Sequence, residues 1–476
     1  MSDAKQLTKQ VPVWSKVAYG FGSVAYGVKD NGFNYFFLIF YSQVMGVDAY
    51  LVALALMIAM GVDALSDPLI GYFSDNTRSR WGRRHPYMYF AAIPVSIAYY
   101  LMWNPPGSLE GNDLFPFIVT VAILVRTLIT LYEIPSSALV AEMTDDYDER
   151  TSMLSYRYFF GWTGGTIMSA LALAFLLVPT EEIKDGMFNV AGHGQVGFVA
   201  ACVIFTAIIC SALGTHRQIP NLNPPPPKRK MTIKRIYGEI FETLATGSFA
   251  ALFVSALFGS IATGVAAGLS YYISTFYWEF TTQEIGILSI TVVLSALIGF
   301  LLAPIVSRKI GKRKGAMAVG ILAFTINPLP IVLRMLGWMP ENGDPMLFPI
   351  ILIVNTLDVG LIVTYQILAA SMIADLVEDS EIRTARRSEG VFFASVTFVR
   401  KVVQGFGAMM AATILTLSEF PVGATPGTVP EEALITFALY YVPTVFTVWM
   451  LMIFSISFYQ VDREKHQQNL ESLGRR

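Results

Sequence analysis

Charged residues are scarce in this chain. Only 14% of its 476 residues are Asp, Glu, Lys or Arg, whereas 54% are hydrophobic and the mean hydropathy is +0.54. Soluble proteins normally carry about a quarter charged residues. The shortage therefore excludes an ordinary soluble domain and indicates a membrane protein. The net charge of −2 also gives no reason to expect a nucleic-acid partner.

Cysteine and histidine are rare as well, with two and four residues. Cys202 and Cys210 share one apolar run, a spacing that suits neither a metal site nor a disulfide, so we expect small packing residues. The histidines lie in or near predicted loops. Neither a nucleophile with its base nor a set of metal ligands is recognisable, so we expect no enzyme and no cofactor. The N-terminal stretch lacks a short apolar core with a cleavage site, and no signal peptide is expected.

Long apolar runs, by contrast, fill the chain. A helix crosses the hydrocarbon core with about 20 mostly apolar residues. Six runs precede the stretch "PNLNPPPPKRK", whose four prolines cannot continue a helix, and six follow it: 16–43, 48–73, 87–104, 114–141, 152–178, 196–214, 247–277, 285–306, 315–337, 346–373, 390–418 and 432–459. We predict an all-α membrane protein with twelve transmembrane helices in two six-helix halves, 1–215 and 246–476, joined by a linker at 216–245.

Positive charge is unevenly distributed over the predicted loops. Lys and Arg gather after span two, in the linker and after span eight, whereas Lys184 is the clear exception in the opposite loops. Because Lys and Arg are enriched in cytoplasmic loops, both termini and the linker are expected on the cytoplasmic side of a cell (inner) membrane.

The two halves also resemble each other. "AEMTDDYDER" at 141–150 and "ADLVEDSEIR" at 374–383 carry acids in step, and Arg150 aligns with Arg383. The same displacement aligns Arg80 with Arg313. Two six-helix halves related as parallel repeats are the arrangement of the major facilitator fold.

Several charged residues lie inside the predicted spans. Each costs about 2.5–3.5 kcal/mol at the membrane centre on insertion scales. Such residues usually face a water-filled cavity and pair with one another, so they are the candidate ion and substrate sites. They are Lys29, Asp30, Asp63, Asp67, Arg126, Glu133, Arg157, Asp358, Arg400 and Lys401.

Asp63 and Asp67 are the most informative of these charges. Their i, i+4 spacing places both carboxylates, with Ser66 beside them, on one helix face. Two ionised acids this close repel, which favours a bound Na⁺ or a shared proton. Thr130 can add a hydroxyl ligand if spans two and four are neighbours. A purely structural role for the two acids is the alternative.

The other charges have structural alternatives too. Lys29 and Asp30 point about 100° apart on a helix, so we do not expect them to pair with each other. Lys29 can instead hold helices together by pairing with Asp63 or Glu133. Arg126 shares a helix face with Glu133, and the two can form a structural ion pair. Asp358 can be structural, and Arg400 can pair locally.

Four stretches carry a family resemblance: "VDALSDPLIGYFSDNTRSRWGRRHPY", "EIPSSALVAEMTDDYDERTSMLSYR", "MIADLVEDSEIR" and "EGVFFASVTFVRK". They resemble the glycoside–pentoside–hexuronide:cation symporters over nearly the whole chain. The resemblance implies the major facilitator fold and transport of a sugar or sugar-derived solute by alternating access, coupled to Na⁺ or H⁺.

The resemblance also implies roles for residues. Asp63 and Asp67 match the family's cation-binding aspartates, Thr130 its threonine, and Ser66 stands at an asparagine position. The substrate contacts implied by the resemblance are Tyr26, Glu133, Arg157, Gln366, Thr397 and Lys401. Lys29, Asp30 and Arg126 are candidate substrate contacts because they are charged residues inside the predicted spans. The wider superfamily's G-x-x-x-D-x-x-R-x-R pattern and the acidic repeats imply a cytoplasmic charge latch of Gly71, Asp75, Arg78, Arg80, Arg150 and Arg383.

The departures from the family pattern concern the substrate. Two tryptophans that line the sugar site in melibiose-transporting members correspond to Ser137 and Gln366. The span-one Lys-Asp pair of the family aligns with Tyr26 and Gly27, one turn before Lys29 and Asp30. Lys29, Arg126, Arg157 and Lys401 make the predicted cavity richer in positive charge than a neutral sugar needs, which favours an anionic substrate such as a hexuronide. A lysolipid transporter of the same fold and a non-transporting receptor remain alternatives, and we expect a monomer in the bilayer.

Overall fold

The computed structural model describes residues 11–144, 147–181, 183–222, 247–384, 403 and 405–459. Within these ranges every regular element is a helix. The chain divides into two compact units, Met1–Arg229 and Lys230–Arg476. The boundaries of 1–215 and 246–476 for the two halves stay a prediction.

The described part of the first unit contains eight α-helices: α1 Val13–Phe21, α2 Val24–Asn31, α3 Phe37–Ile39, α4 Ala49–Asn76, α5 His85–Met102, α6 Phe115–Met143, α7 Tyr147–Leu171 and α8 Val190–His216. Among its own described residues, the second unit has seven: α9 Gly247–Tyr272, α10 Thr282–Ile310, α11 Lys312–Ile326, α12 Leu329–Met335, α13 Leu347–Thr384, α14 Gly405–Leu417 and α15 Glu431–Ile456.

The membrane class predicted from the composition is confirmed. In the described ranges, nine helices are long and apolar enough to cross a bilayer. Predicted span one is broken into short helices by π-helical turns at Gly32–Phe36 and Phe40–Val44. Span three is α5, and span eleven is represented by α14, with much of its predicted range outside the described residues. The count of twelve spans stays a prediction.

Helix packing in the first unit determines which charges can meet. α4 and α5 both pack along α6, and α2 packs along α7. The last contact is very close, because a methyl group added to Gly27 would overlap the carbonyl oxygen of Gly161. Glycine at these positions therefore lets the two backbones touch. This contact fixes α2, which carries Lys29 and Asp30, against the helix that carries Arg157.

The prediction for the two cysteines on α8 has an outcome here. Cys202 and Cys210 are free thiols exposed on α8, so the prediction that they are packing residues was wrong. The buried face of α8 includes Ala200, Ile204 and Ile208, and the cysteines lie outside it.

α10 begins with a capping box in which Thr281 and Glu284 bond each other's backbone, an arrangement that stabilises the start of a helix.

Candidate functional site

Asp63 is the centre of a buried polar cluster between α4 and α6. Its side chain is 1% exposed and receives two hydrogen bonds from α6. Arg126 Nη1 donates to Asp63 Oδ2 over 3.2 Å, and Thr130 Oγ1 donates to Asp63 Oδ1 over 2.8 Å. Arg126 and Thr130 lie one turn apart on α6, so a single helix face supplies both donors. Each oxygen of the carboxylate therefore has a partner.

The hydroxyl of Thr130 can act in two ways at this position. It also lies 3.0 Å from the backbone carbonyl oxygen of Arg126, to which it can donate its single proton. If the proton points to that carbonyl, a lone pair of Oγ1 faces Asp63. Rotation of one O–H bond thus converts Thr130 from a donor to Asp63 into an oxygen ligand beside it. Carboxylate and hydroxyl oxygens suit a hard cation.

The α4 side of the cluster adds further oxygens. Ser66 Oγ donates to the backbone carbonyl of Asp63 over 3.0 Å, and Ser66 and Asp67 are both half-buried. Pro68 follows Asp67 within α4, so the carbonyl of Ala64 cannot accept the usual helix hydrogen bond. In α6, Pro135 removes the partner of the Leu131 carbonyl in the same way. Backbone carbonyls without their helical partner are suitable ligands for Na⁺ in membrane transport sites.

Arg126 is buried but sparingly bonded. Its side chain is 4% exposed, and its guanidinium carbon lies 4.8 Å from the centre of the Phe33 ring, a cation–π arrangement. Nη1 bonds Asp63, whereas Nε is buried and has no hydrogen-bond partner in the described part of the chain. The guanidinium is therefore held by one ion pair and one ring.

Lys29 and Asp30 form an ion pair, with Nζ 2.6 Å from Oδ1, so the expectation that they would not pair was wrong. The 100° between their Cβ directions was the wrong criterion, because the flexible four-carbon stem of lysine can curl round the helix. The lysine side chain is 4% exposed and that of Asp30 is 47% exposed. Burial of the ammonium group explains the pairing, since an unpaired buried charge is costly.

Arg157 joins α7 to α6 and to the first helices. Nη1 donates to Ser136 Oγ over 3.1 Å, and Nη2 donates to the Glu133 backbone carbonyl over 3.4 Å. The guanidinium lies over the rings of Tyr19 and Tyr26, at 5.7 Å and 5.2 Å. The structure therefore brings Tyr26, Glu133 and Arg157 into one group, with the Glu133 side chain half-buried.

The remaining predicted residues are not assembled around Asp63 in the described part of the chain. Gln366 is exposed on α13 of the second unit. Arg78 and Arg80 are exposed: Arg78 donates to the Thr77 carbonyl, and Arg80 lies 5.4 Å over the Trp81 ring. Gly71 lies in α4. Thr397 and Lys401 lie outside the described residues, as do the side chains of Asp75, Arg150 and Arg383. The roles of all these residues stay predictions.

Sequence reasoning missed a second ion-pair cluster, at the end of α6. Arg84 donates through Nε to Glu142 Oε1 and through Nη1 to Ser74 Oγ, each over 2.6 Å. Arg83 Nε reaches the same Glu142 oxygen at 2.7 Å. The cluster ties α4, the start of α5 and α6 together. The sequence signal for this cluster is Glu142, an acid of the internal repeat, together with the arginine-rich loop after predicted span two.

A buried carboxylate also lies in the second unit. Asp358 on α13 is 2% exposed, and Asn327 Nδ2 donates to its Oδ2 over 2.6 Å. Its Oδ1 is buried without a hydrogen-bond partner in the described structure. No group of three or more His, Cys, Asp or Glu side chains that could hold a metal ion occurs among the residues searched, which are the described ones.

Comparisons with known proteins agree with this architecture. The family model described as "MFS/sugar transport protein" matches residues 18–463. The inner membrane symporter YicJ of Escherichia coli is 24% identical, over 85% of this chain and 82% of that protein. An isoprimeverose transporter of Lactiplantibacillus pentosus is 25% identical, over 97% of this chain and 91% of that protein. A crystal structure of a D-xylose-proton symporter superposes with a TM-score of 0.59 at 15% identity, covering 92% and 97% of the two chains, and supports the fold alone.

Proposed function

Because the chain belongs to the MFS/sugar transport protein family, we propose that it is a secondary symporter that couples uptake of a sugar or sugar-derived solute to Na⁺ or H⁺. It is a multi-pass membrane protein of a transporter family, not an enzyme. The inner membrane symporter supports symport, and the isoprimeverose transporter supports this substrate class. The inner-membrane relative supports the same location here, with both termini cytoplasmic by the distribution of positive charge.

The observation that carries the proposal is the buried Asp63 carboxylate with the Thr130 hydroxyl 2.8 Å away on the neighbouring helix. A charge in the membrane interior is expensive unless function requires it. Asp63, Asp67, Thr130 and Ser66 together offer oxygen ligands of the kind that Na⁺ takes, and either acid can hold H⁺ instead. We propose these four residues as the coupling-ion site, with no other cofactor.

The group around Arg157 is the proposed substrate-binding region. Its guanidinium can donate hydrogen bonds to a carboxylate or hydroxyl oxygen of a solute, and the half-buried Tyr26 ring beside it offers a flat surface for an apolar sugar face. Asp30, which pairs with the buried Lys29, keeps a partly exposed carboxylate on α2. Arg157 donates to a hydroxyl and to a backbone carbonyl in the described structure, and its positive charge favours a solute that carries a carboxylate, such as a hexuronide.

The mechanism follows from linkage between the two sites. A cation that reduces the negative charge at Asp63 and Asp67 changes the field in which an anionic solute binds. If the ion tightens solute binding, the solute must tighten ion binding by the same factor. Alternating exposure of the doubly occupied site, the general mode of this fold, then carries both across the membrane. We propose that a monomer suffices.

Uptake by proteoliposomes tests the proposal. A Na⁺ or H⁺ gradient should drive accumulation of a radiolabelled solute, chosen beforehand by a thermal-stabilisation screen of sugars, uronates and lysolipids in Na⁺ and in choline. Asp63→Asn should abolish accumulation against a gradient, whereas the control Asp113→Asn, at an exposed position, should transport normally. Unchanged ion dependence in Asp63→Asn would contradict the proposed ion site, and a lysolipid that stabilises the protein better than every sugar would contradict the substrate class.

A further inference from the structure

A permanent positive charge beside the proposed ion site needs its own explanation. Arg126 Nη1 lies 3.2 Å from the carboxylate that should bind the transported cation. Like charges at this separation repel strongly in a poorly solvated site. A cation and the guanidinium therefore cannot both occupy the same face of Asp63. Arg126 either excludes the ion or gives way to it.

The way in which Arg126 is held indicates that it can give way. A permanently docked arginine typically uses its planar fork and forms two short hydrogen bonds to its partners. Arg84, in the same unit, does so with two contacts of 2.6 Å. Arg126 uses one N–H, at 3.2 Å, and leaves Nε buried without a partner in the described structure. The Asp63 contact is the looser of these two buried guanidinium–carboxylate pairs.

From this contrast we infer that Arg126 is a tethered occupant of the ion site, pairing with Asp63 while the site is empty and competing with the transported cation for that carboxylate. The inference rests on the proposed symport function. Exchange of the guanidinium for a monovalent cation leaves the charge beside Asp63 unchanged, which avoids leaving a bare carboxylate at any stage. Ion entry therefore requires Arg126 to move.

The Phe33 ring offers the displaced guanidinium a partner. It already lies 4.8 Å from the guanidinium carbon, and the cation–π attraction between them does not depend on the ion pair with Asp63. Phe33 follows Lys29 and Asp30 by one helical turn in the first span. Release of Arg126 from Asp63 thus adds a free positive charge near the proposed substrate contacts. An anionic solute would then bind after the cation, because the bound cation has released Arg126, whose positive charge can pair with the solute.

Ion binding to purified protein tests this inference without any need for transport. Thermal stability is measured against Na⁺ concentration, with choline keeping the ionic strength constant. Arg126→Gln should lower the Na⁺ concentration for half-maximal stabilisation about tenfold or more. Arg126→Lys should give an intermediate value, because its ammonium keeps the charge but not the fork. Arg84→Gln is the matched control: it also removes a buried, paired guanidinium, and its Na⁺ response should equal that of the wild type.

The same Na⁺ response and the same response to acidification in Arg126→Gln and wild type would overturn the inference. So would a response that persists when Asp63→Asn is added to Arg126→Gln, because the ion would then act elsewhere. If Arg126→Gln does not fold, an unchanged midpoint in Arg126→Lys overturns the inference by itself. A further outcome separates the two proposals. If Arg126→Gln binds Na⁺ more tightly but no ion gradient drives uptake by the wild type, symport is rejected, whereas the competition between Arg126 and the cation for Asp63 stands.

Discussion

The helix pair α4–α6 of the first unit has a counterpart in the second unit, the pair α10–α13. The displacement that aligns Ala141 with Ala374 carries Asp63, Arg126 and Thr130 onto Ala296, Val359 and Val363. Both pairs pack lengthwise. One fold position therefore holds an ion pair with a hydroxyl in the first unit and three apolar side chains in the second.

This difference separates what the helix packing needs from what transport needs. The apolar version shows that two such helices can pack without any charge at these positions. Replacement of a buried ion pair by apolar residues of similar volume is often neutral or stabilising. The charges at Asp63 and Arg126 are therefore not required by the helix packing, which strengthens the argument for an ion site in the first unit.

The largest effect is expected when only one charge of the pair is removed. Asp63→Ala leaves the Arg126 guanidinium buried without its carboxylate, which should cost about 3–5 kcal/mol of unfolding free energy. Thermal or denaturant unfolding of the purified protein measures the loss.

The double variant Asp63→Ala, Arg126→Val copies the apolar pair of the second unit and is the matched comparison. It should recover most of that stability and should show no response to Na⁺ or to acidification beyond that of Asp63→Asn. If it is as unstable as Asp63→Ala, the ion pair contributes to folding itself, and the apolar residues of the second unit are not an equivalent solution for the first.

A smaller effect is expected from Thr130→Val, which copies Val363. The valine keeps the shape of the side chain but leaves Asp63 Oδ1 without its donor, a change worth about 1–3 kcal/mol. About a tenfold weakening of ion binding follows if the hydroxyl is also a ligand, measured as the Na⁺ midpoint of thermal stabilisation. Thr364→Val is the control, because this buried threonine donates to the Gly360 carbonyl of its own helix. Equal midpoints in the two variants would remove Thr130 from the ion site.

The membrane class and the α4–α6 cluster were accessible from the sequence for a simple reason. Apolar runs of span length and the i, i+4 spacing of Asp63 and Asp67 depend only on residues close together in the sequence. They can therefore be recognised without knowing which helices are neighbours. The family resemblance added the link from Asp63 to Thr130, which lies on another helix. Sequence spacing alone left that link conditional on which spans are neighbours.

The partners of individual charges were not accessible in the same way. Glu133 was considered for Arg126 because the two share a helix face, but seven residues separate them by about 10.5 Å along the axis. Asp63 of the packed neighbour lies closer and takes the guanidinium. Lys29 pairs with its own sequence neighbour through the bend of its side chain. Both outcomes depend on how far a side chain can reach and on the distance between helices, and neither can be deduced from the spacing of residues in the sequence.

The smallest effect is expected at the buried acid of the second unit. Asp358 has an amide donor and no cationic partner in the described structure, in contrast to Asp63. Asp358→Asn can still accept from Asn327 through its amide oxygen, so the unfolding free energy should change by less than about 1 kcal/mol and ion-driven uptake should remain within about twofold of wild type. A loss of coupling as complete as that of Asp63→Asn would place a second ion-binding acid in the second unit. The two helix pairs would then hold two different ion sites, not one site and its inert copy.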